Sequence, residues 1–304
     1  MRFKHLPAPA QRVRRLILHI GAAKTGSTAI QAALAANRGR LADQGVLYPT
    51  SLGLRTHSLM AICAGSLWDY KNQYRQQGIR PVIGVMKTRQ AALSMLAAEV
   101  DASRAETLII SSEGLFTDYS DKGSVQRLKR IADALAEETQ VVVFLRRQDE
   151  ALLSHFVHGR RLGHTKELLV PEELRHLTYL DYHRQLTCWS AAFGTHHLGV
   201  QPFRRDRFAQ GDIVHWFLAC LGIDASGFQI PAEVNLGLDT LQEEFLQRLN
   251  VIIPRFHDGQ PNKLRGDSMM QLTGPGGLTI SDGYHGWNGN RYWSVLGDRM
   301  NASP

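Results

Sequence analysis

Five consecutive residues, Lys24 to Thr28 (Lys-Thr-Gly-Ser-Thr), combine a cation, hydroxyl groups and a glycine. They follow a short apolar run at residues 16–20 and precede strong helix formers at residues 29–36. A small-residue loop between a strand and a helix aims backbone N–H groups and the positive end of the helix dipole at one point. Such a loop binds an anion, and the Lys24 ammonium adds a full positive charge. The residues expected to bind a phosphate here are Lys24, Thr25, Gly26, Ser27 and Thr28.

A second group of side chains that could bind an anion follows the apolar run at residues 141–145. The run is rich in β-branched residues, which is typical of a buried parallel strand, and it ends at Arg146 and Arg147. Ser154 comes eight residues after Arg146, in the helix that we expect next. Because parallel α/β sheets bind ligands at the carboxyl ends of their strands, Arg146 and Ser154 could hold one phosphate from two sides. Arg147 has no firm role, and a merely solvated arginine pair is the alternative.

The loop does not match the two commonest nucleotide-binding patterns. A Walker A lysine follows the second glycine, whereas Lys24 precedes Gly26, and the Gly-x-Gly-x-x-Gly pattern is absent. The order Gly-x-x-Lys-Thr-Gly-Ser-Thr resembles the 5′-phosphosulfate loop of the sulfotransferase family, with Ser27 as a mild departure from threonine. The spacing of Arg146 and Ser154 is similar to the 3′-phosphate motif of that family. The resemblance extends loosely from about residue 16 to residue 225.

Sulfotransferases move a sulfuryl group from 3′-phosphoadenosine-5′-phosphosulfate (PAPS) to an acceptor. The resemblance implies that PAPS is the donor, with its 5′-phosphate at the loop and its 3′-phosphate at Arg146 and Ser154. Lys24, the loop N–H groups and the Thr28 hydroxyl would stabilise the leaving phosphate. No metal ion is expected, since the 141–145 strand ends in arginines where an Mg²⁺ site would need acids. The resemblance also implies a carbohydrate or lipid-linked acceptor.

Transfer to a hydroxyl needs a base as well, and two residues are candidates. Glu113 directly follows the apolar run 107–112, so we expect it at the carboxyl edge of the sheet near the loop. A glutamate is a weak base unless burial or neighbours raise its pKa. His57 is the second candidate, because a neutral imidazole accepts a proton near pH 7. The alternatives are that Glu113 caps a turn or pairs with Lys24 or Arg146, and that His57 is structural.

Apolar runs alternate with amphipathic helical patterns along the chain, which predicts βαβ units and a parallel sheet. The predicted strands are residues 16–20, 107–112, 141–145 and 198–203. The predicted helices beyond the loop helix are residues 88–100, 124–138, 180–193 and 211–221. We therefore expect an α/β fold, a three-layer sandwich with a central parallel sheet. The resemblance implies that this is the P-loop-NTPase-like fold of the sulfotransferases.

The chain is expected to form one domain over residues 1–304. Residues 1–15 are basic and contain proline, which predicts a flexible leader, and residues 254–304 lack a clear periodicity. Within that last segment, residues 274–290 are rich in glycine and aromatic residues. They are interpreted as a surface loop, with a lid over the site as the alternative.

The net charge of +7 and the isoelectric point near 9.5 indicate an anionic partner. A polyanionic donor, an acidic glycan or a lipid head group would meet this expectation. Nucleic acid is not expected, because the basic clusters are scattered and no recognised motif accompanies them. No apolar run is long enough to span a bilayer, which leaves peripheral membrane contact open. Cys63, Cys188 and Cys220 lie far apart, so we expect neither disulfides nor a zinc site, and a cytoplasmic location.

These patterns together predict a PAPS-dependent sulfotransferase that acts on a hydroxyl, or an amine, of its acceptor. The expected mechanism is a metal-independent in-line transfer that releases adenosine 3′,5′-bisphosphate. Two alternatives stay open. Glu113 after an apolar strand could imitate a Walker B acid, which would make the protein a variant P-loop kinase or NTPase that uses Mg-ATP. The fold could also serve as a non-catalytic anion-binding adaptor.

Overall fold

The computed structural model of this chain describes residues 7–22, 24–66, 82–117, 121–161, 163–165, 177–204, 206, 208, 212–231, 240–254, 256–257 and 260–262. The main sheet contains β1 (Val13–His19), β2 (Val46–Leu47), β3 (Thr107–Ser111), β4 (Ala136–Leu145) and β5 (Leu198–Pro202). A separate short pair contains β6 (Phe256–His257) and β7 (Gln260–Pro261). The helices are α1 (Ser27–Ala36), α2 (Arg38–Ala42), α3 (Ser58–Ala64), α4 (Val82–Ala102), α5 (Gly114–Thr117), α6 (Lys122–Leu135), α7 (Gln148–Arg161), α8 (Tyr182–Phe193), α9 (Ile213–Leu221) and α10 (Thr240–Ile252).

The strands of the main sheet are parallel and lie in the order β2-β3-β1-β4-β5. β1 is central, because Leu18 lies opposite Ile110 of β3 on one side and Val141 of β4 on the other. A strand that is paired on both edges and covered on both faces must be apolar, and Leu16, Ile17 and Leu18 are each 0% exposed. The predicted α/β fold with a central parallel sheet is confirmed.

Helices cover both faces of the sheet, and consecutive residues of β1 alternate between the two faces. Leu16 and Leu18 pack with residues of α3, α4, α6 and α8 on one face. Ile17 packs with residues of α1, α2 and α9 on the other face. The predicted three-layer sandwich is therefore confirmed, and both helical layers frame the carboxyl ends of the central strands.

One predicted boundary differs from the structure between helix α6 and strand β4. The sequence predicts a helix over residues 124–138, but α6 ends at Leu135 and β4 begins at Ala136. The start of β4 pairs with β1, with Ala136 opposite Val13. Ladder hydrogen bonds to a central strand outweigh the helix propensity of the two glutamates that follow Ala136. The predicted helix end is therefore wrong.

The segment predicted to be a flexible leader, residues 1–15, contributes its last residues to the sheet. β1 begins at Val13, and the Ala10 N–H donates a 2.7 Å hydrogen bond to Asp101 Oδ1 of α4. Residues 13–15 thus belong to a strand, which corrects that part of the prediction. Residues 1–6 and 263–304 lie outside the described residues, and so does the 274–290 segment with its predicted surface loop.

The chain divides into two compact units, residues 1–156 with 168–234 and residues 157–167 with 235–304. The first unit contains the main sheet and every residue that the sequence assigns to the site. In the second, Asn250 Nδ2 donates to the carbonyl oxygens of Arg160 and His164 at 2.9 and 3.0 Å. These bonds join helix α10 to the C-terminal end of α7. The prediction of one domain over residues 1–304 stays a prediction.

Candidate functional site

The loop between β1 and α1 turns sharply at the edge of the sheet. Thr25 is buried, and its hydroxyl donates a 2.7 Å hydrogen bond to the Ala22 carbonyl oxygen. Gly26 adopts the left-handed conformation (φ 78°) directly before α1, and its carbonyl accepts the first backbone hydrogen bonds of the helix. The N–H groups of Ser27 and Thr28 therefore point out of the helix end, as the first N–H groups of a helix do. The start of α1 thus presents backbone N–H groups, whereas the Thr25 hydroxyl is already used within the loop.

Lys24 has a backbone conformation that residues with a side chain rarely adopt. Its φ is 66°, in the left-handed region. For a residue other than glycine this region costs on the order of 1 kcal/mol, and such strain persists only where the surroundings fix the backbone. Burial raises the pKa of the Glu113 carboxyl, and the Lys24 charge partly offsets this rise, so the cation lies within electrostatic reach of the acid.

Glu113 lies against the loop, in agreement with its predicted place after β3. A Cβ built on Gly21 would be 2.4 Å from Ser27 Oγ and 3.5 Å from Glu113 Cγ. Gly21, Ser27 and Glu113 therefore meet where β1 ends and α1 begins. With Lys24 beside the carboxyl, a cation, a hydroxyl and an acid come together at the N-terminal end of α1.

The environment of Glu113 changes its acidity. Burial raises the pKa of Glu113, and this effect outweighs the Lys24 charge and the Ser27 hydroxyl, which both favour the ionised form. The Ser27 hydroxyl is itself buried, and it makes no hydrogen bond of normal geometry with any residue that the structure describes. A buried carboxyl with a raised pKa beside a buried hydroxyl is suited to exchange a proton with a third group.

A Gly21→Ala substitution tests this packing. The added methyl group would lie 2.4 Å from Ser27 Oγ and 3.2 Å from Ser27 Cβ, so Ser27 must move. We expect a loss of about 1–3 kcal/mol in the free energy of unfolding, measured by chemical denaturation. A second Ser27→Ala substitution should restore part of this loss, because it removes the nearest atom. The matched control is Gly39→Ala, where a Cβ would meet nothing within 4 Å. A Gly21→Ala protein as stable as the Gly39→Ala control would contradict the packing described here.

His57, the second candidate base, has a different environment. It is buried, its Nδ1 accepts a 3.1 Å hydrogen bond from the Ser111 N–H, and its Nε2 donates to the Pro49 carbonyl oxygen at 2.9 Å. Both ring nitrogens thus have partners in the neutral form. Burial lowers the pKa of His57 to about 4. Because a proton on Nδ1 would break the bond to Ser111, this geometry favours Glu113 over His57 as the base.

Arg146 lies at the carboxyl end of β4 and contacts an aromatic ring. Its guanidinium carbon is 4.8 Å from the ring centroid of Phe203, which directly follows β5. The Phe203 N–H donates a 2.8 Å hydrogen bond to the Leu145 carbonyl oxygen, which fixes the backbone of Phe203 at this edge. On the loop side, a Cβ built on Gly26 would be 3.4 Å from Phe203 Cε2. The Phe203 ring therefore lies beside both Arg146 and the glycine loop, the two predicted anion-binding groups.

An acid lies close to Arg146 and precedes Ser154 by one helical turn. Glu150 Oε2 is 3.8 Å from Arg146 Nε, and Ser154 comes four residues after Glu150 on helix α7. Residues four apart share one face of a helix, so Ser154 lies on the same face of α7 as Glu150. Arg147 pairs with Asp149 at 2.8 Å, which agrees with its lack of a firm role. A phosphate that bound both Arg146 and Ser154 would also approach Glu150.

A network of buried, hydrogen-bonded side chains supports the loop from within the fold. Ser111 Oγ accepts a 3.2 Å hydrogen bond from Gln31 Nε2 and lies 2.8 Å from His19 Nδ1. Burial lowers the pKa of His19 to about 4, so this imidazole is neutral at pH 7. This network joins α1 to β1, the strand before the loop, and to β3, the strand before Glu113. It fixes the helix relative to the acid.

Sequence analysis missed two residues of this site. Phe203 is the last residue of the predicted strand 198–203, and an aromatic residue at the carboxyl end of a strand was the available signal. Gly21 is the first glycine of the Gly-x-x-Lys-Thr-Gly-Ser-Thr pattern, and that pattern does not indicate what Gly21 packs against. Its close approach to Ser27 depends on how α1 returns to β1, which the local sequence does not specify.

Comparison with known proteins gives limited similarity. No family model matches the chain. An uncharacterized protein of Archaeoglobus fulgidus is 28% identical over 113 residues, which are 37% of this chain and 30% of that protein. The chain thus spans less than a third of the length of that relative. Among solved structures, a sulfotransferase from Alicyclobacillus acidocaldarius aligns over 80% of this chain and 94% of its own, with a TM-score of 0.43 and 17% identity.

Two properties of the described residues bear on the chemistry of the site. None of the helices there is long and apolar enough to cross a membrane. Within the same ranges, no three His, Cys, Asp or Glu side chains come together in an arrangement that could hold a metal ion. The chemical groups at the loop are therefore the ammonium, the hydroxyls, the backbone N–H groups and the Glu113 carboxyl.

Proposed function

We propose that this protein is a sulfotransferase that uses PAPS as its donor and transfers the sulfuryl group to a hydroxyl, or an amine, of an acceptor. The observation that carries the proposal is the meeting of Lys24, Ser27 and Glu113 at the glycine loop. The Phe203 ring, which lies beside both the loop and Arg146, supports the binding of the two ends of one nucleotide. The carbohydrate or lipid-linked nature of the acceptor is part of the proposal.

In the proposed reaction, each side chain has one task. The acceptor oxygen forms a bond to sulfur while the bond between sulfur and the phosphate oxygen breaks. The acceptor proton passes to the Glu113 carboxylate, whose pKa is raised by burial. The electron pair leaves with the phosphate oxygen, whose charge is stabilised by Lys24 and the N–H groups at the start of α1. Arg146 binds the second phosphate of the nucleotide.

A thermal-shift titration tests the donor. Adenosine 3′,5′-bisphosphate without Mg²⁺ should stabilise the full chain by about 2.7 kcal/mol at a hundredfold excess over Kd. Arg146→Ala should weaken this response, because the guanidinium contact to one phosphate is lost. The matched control is Arg147→Ala, since that neighbouring arginine is exposed and paired with Asp149. An equal response from the two variants would remove Arg146 from the nucleotide site.

The same titration, together with a sulfate-transfer assay, distinguishes the sulfotransferase from the kinase or NTPase and from the adaptor. A response to Mg-ATP alone would reject the sulfotransferase and favour the kinase or NTPase, in which Glu113 after β3 would act as the Walker B acid. Stabilisation by the bisphosphate without transfer of labelled sulfate to any acceptor in a broad panel would favour the adaptor. Transfer of labelled sulfate from PAPS in the presence of a metal chelator would support metal-independent catalysis.

A further inference from the structure

A second loop lies at the same edge of the sheet, between β2 and α3, and its tip is held by contacts from elsewhere in the fold. This loop, residues 50–57, is called the β2–α3 loop. Tyr48 Oη donates a 2.7 Å hydrogen bond to the Arg55 carbonyl oxygen, and Arg38 Nη2 donates to the Leu54 carbonyl oxygen. Leu54 and Arg55 are both exposed. Their backbone is thus fixed while their side chains face solvent.

The start of the β2–α3 loop is fixed by a carboxylate. Glu99 of α4 accepts hydrogen bonds from the Thr50 N–H at 2.8 Å and from the Ser51 N–H at 2.9 Å. Burial alone would raise the pKa of Glu99, but these bonds outweigh it and lower the pKa. Gly53 has a φ of 133°, and a Cβ there would lie 2.2 Å from the Thr56 carbonyl oxygen. The loop therefore has one defined shape, and its exposed residues have defined positions.

Arg55 extends from this loop to the first turn of α1. Its Nη2 donates a 3.3 Å hydrogen bond to the Thr28 carbonyl oxygen. Thr28 follows Ser27, the residue beside Glu113. A guanidinium carries five N–H donors, so the bond to Thr28 leaves others for a ligand. Arg55 thus places a second cation at the turn where the proposed transfer occurs.

The strand order sets the order of the candidate side chains along the carboxyl edge of the sheet. Across the carboxyl edge, Arg55 follows β2, Glu113 follows β3, Lys24 follows β1 and Arg146 follows β4. If Arg146 binds one end of the nucleotide, the transferred group at the other end lies over β1 and faces β3. The acceptor then approaches from the side of β3 and β2, where the β2–α3 loop lies.

We infer that the acceptor carries an anionic group and that Arg55 binds it. The inference rests on the proposed function. Arginine matches the two oxygens of a carboxylate or phosphate with parallel N–H groups, which gives direction as well as charge. Anion binding at Arg55 would hold a neighbouring hydroxyl of the acceptor near Glu113. An acidic sugar, with its carboxylate or phosphate beside several hydroxyls, fits this arrangement.

Binding of matched sugars to the full chain tests the inference. The probes are 4-nitrophenyl β-D-glucuronide and the neutral 4-nitrophenyl β-D-glucoside, with glucose 6-phosphate against glucose as the phosphate arm. Calorimetric titration is run with and without adenosine 3′,5′-bisphosphate. We expect the wild-type protein to bind at least one anionic sugar about tenfold more tightly than its neutral partner. The arm that shows the preference identifies the anion.

Substitutions assign the preference to Arg55. Arg55→Ala should abolish it, and Arg55→Lys should keep part of it through charge alone. The matched control is Arg130→Ala, because Arg130 is another exposed arginine whose Nε contacts a carbonyl oxygen, that of Gln126 at 3.4 Å. No preference in the wild-type protein, an unchanged preference in Arg55→Ala, or an equal loss in Arg130→Ala would each overturn the inference. The bisphosphate response should be the same in Arg55→Ala and wild type. Its absence from the wild type would instead reject the proposed function, which separates the two failures.

Discussion

Replacing Lys24 by glycine should slow sulfuryl transfer by about 100- to 1,000-fold while the protein stays folded. The loss is expected because the ammonium no longer stabilises the charge on the leaving phosphate, and a single electrostatic contact of this kind is worth that much in other enzymes. Stability should not fall in parallel, since the left-handed φ of 66° suits glycine better than any other residue. Turnover is measured with labelled PAPS, and stability by thermal unfolding.

A Lys24→Ala protein is the matched control for this change. Both variants lack the charge, so both should lose activity to the same extent. Only glycine relieves the backbone, and its greater freedom in the unfolded chain offsets part of that gain. We expect the glycine variant to be more stable than the alanine variant by about 1 kcal/mol. Near-normal turnover of either variant would exclude Lys24 from the transition state.

Replacing Glu113 by glutamine should lower transfer by about 100- to 10,000-fold and leave nucleotide binding intact. Glutamine has the same shape but accepts no proton, so the variant removes general-base catalysis alone. Turnover is measured with labelled PAPS, and binding with adenosine 3′,5′-bisphosphate. Glu137→Gln is the control, because that side chain is exposed on β4. If Glu113→Gln keeps most of its turnover, the base is not Glu113 and His57 becomes the candidate again.

The pH dependence of Glu113 has a defined sign. Burial raises its pKa in the folded protein, and a base must be ionised, so wild-type transfer should rise as pH passes upward through this raised value. Folding stability changes in the opposite direction. The folded state binds the proton more tightly, so the contribution of Glu113 is full below its unfolded pKa and is lost as pH rises through the folded pKa. The glutamine variant should therefore gain stability relative to wild type at neutral pH, and this difference should vanish in acid.

The sequence predicts the parts of the site that depend on strand ends. Glu113 follows β3 and Arg146 follows β4, and both strands neighbour β1 in the sheet. The carboxyl ends of adjacent parallel strands meet at one edge, so apolar runs followed by polar residues were enough to place these side chains near the loop. The helical layers are also predictable. The first strand is a continuous apolar run, so both faces of the sheet must be covered.

The parts that depend on long-range contacts could not be predicted. The role of His57 is set by the Pro49 carbonyl and the Ser111 N–H, and the second lies 54 residues away in the chain. Arg55 reaches Thr28 because β2 lies next to β3, and the two-residue strand β2 gives almost no periodicity to detect. The acid between Arg146 and Ser154 was visible in the sequence, but its position depends on the first turns of α7.

The internal hydrogen bond from Thr25 to Ala22 has a consequence for binding affinity. The bond is made within the protein, so part of the conformational entropy of Ala22 and Thr25 is already lost before a ligand binds. Ordering a flexible loop on binding would subtract from the affinity, whereas a preorganised loop avoids that penalty. The association of a small polyanion with this chain should therefore be limited by desolvation of its oxygens rather than by rearrangement of the protein.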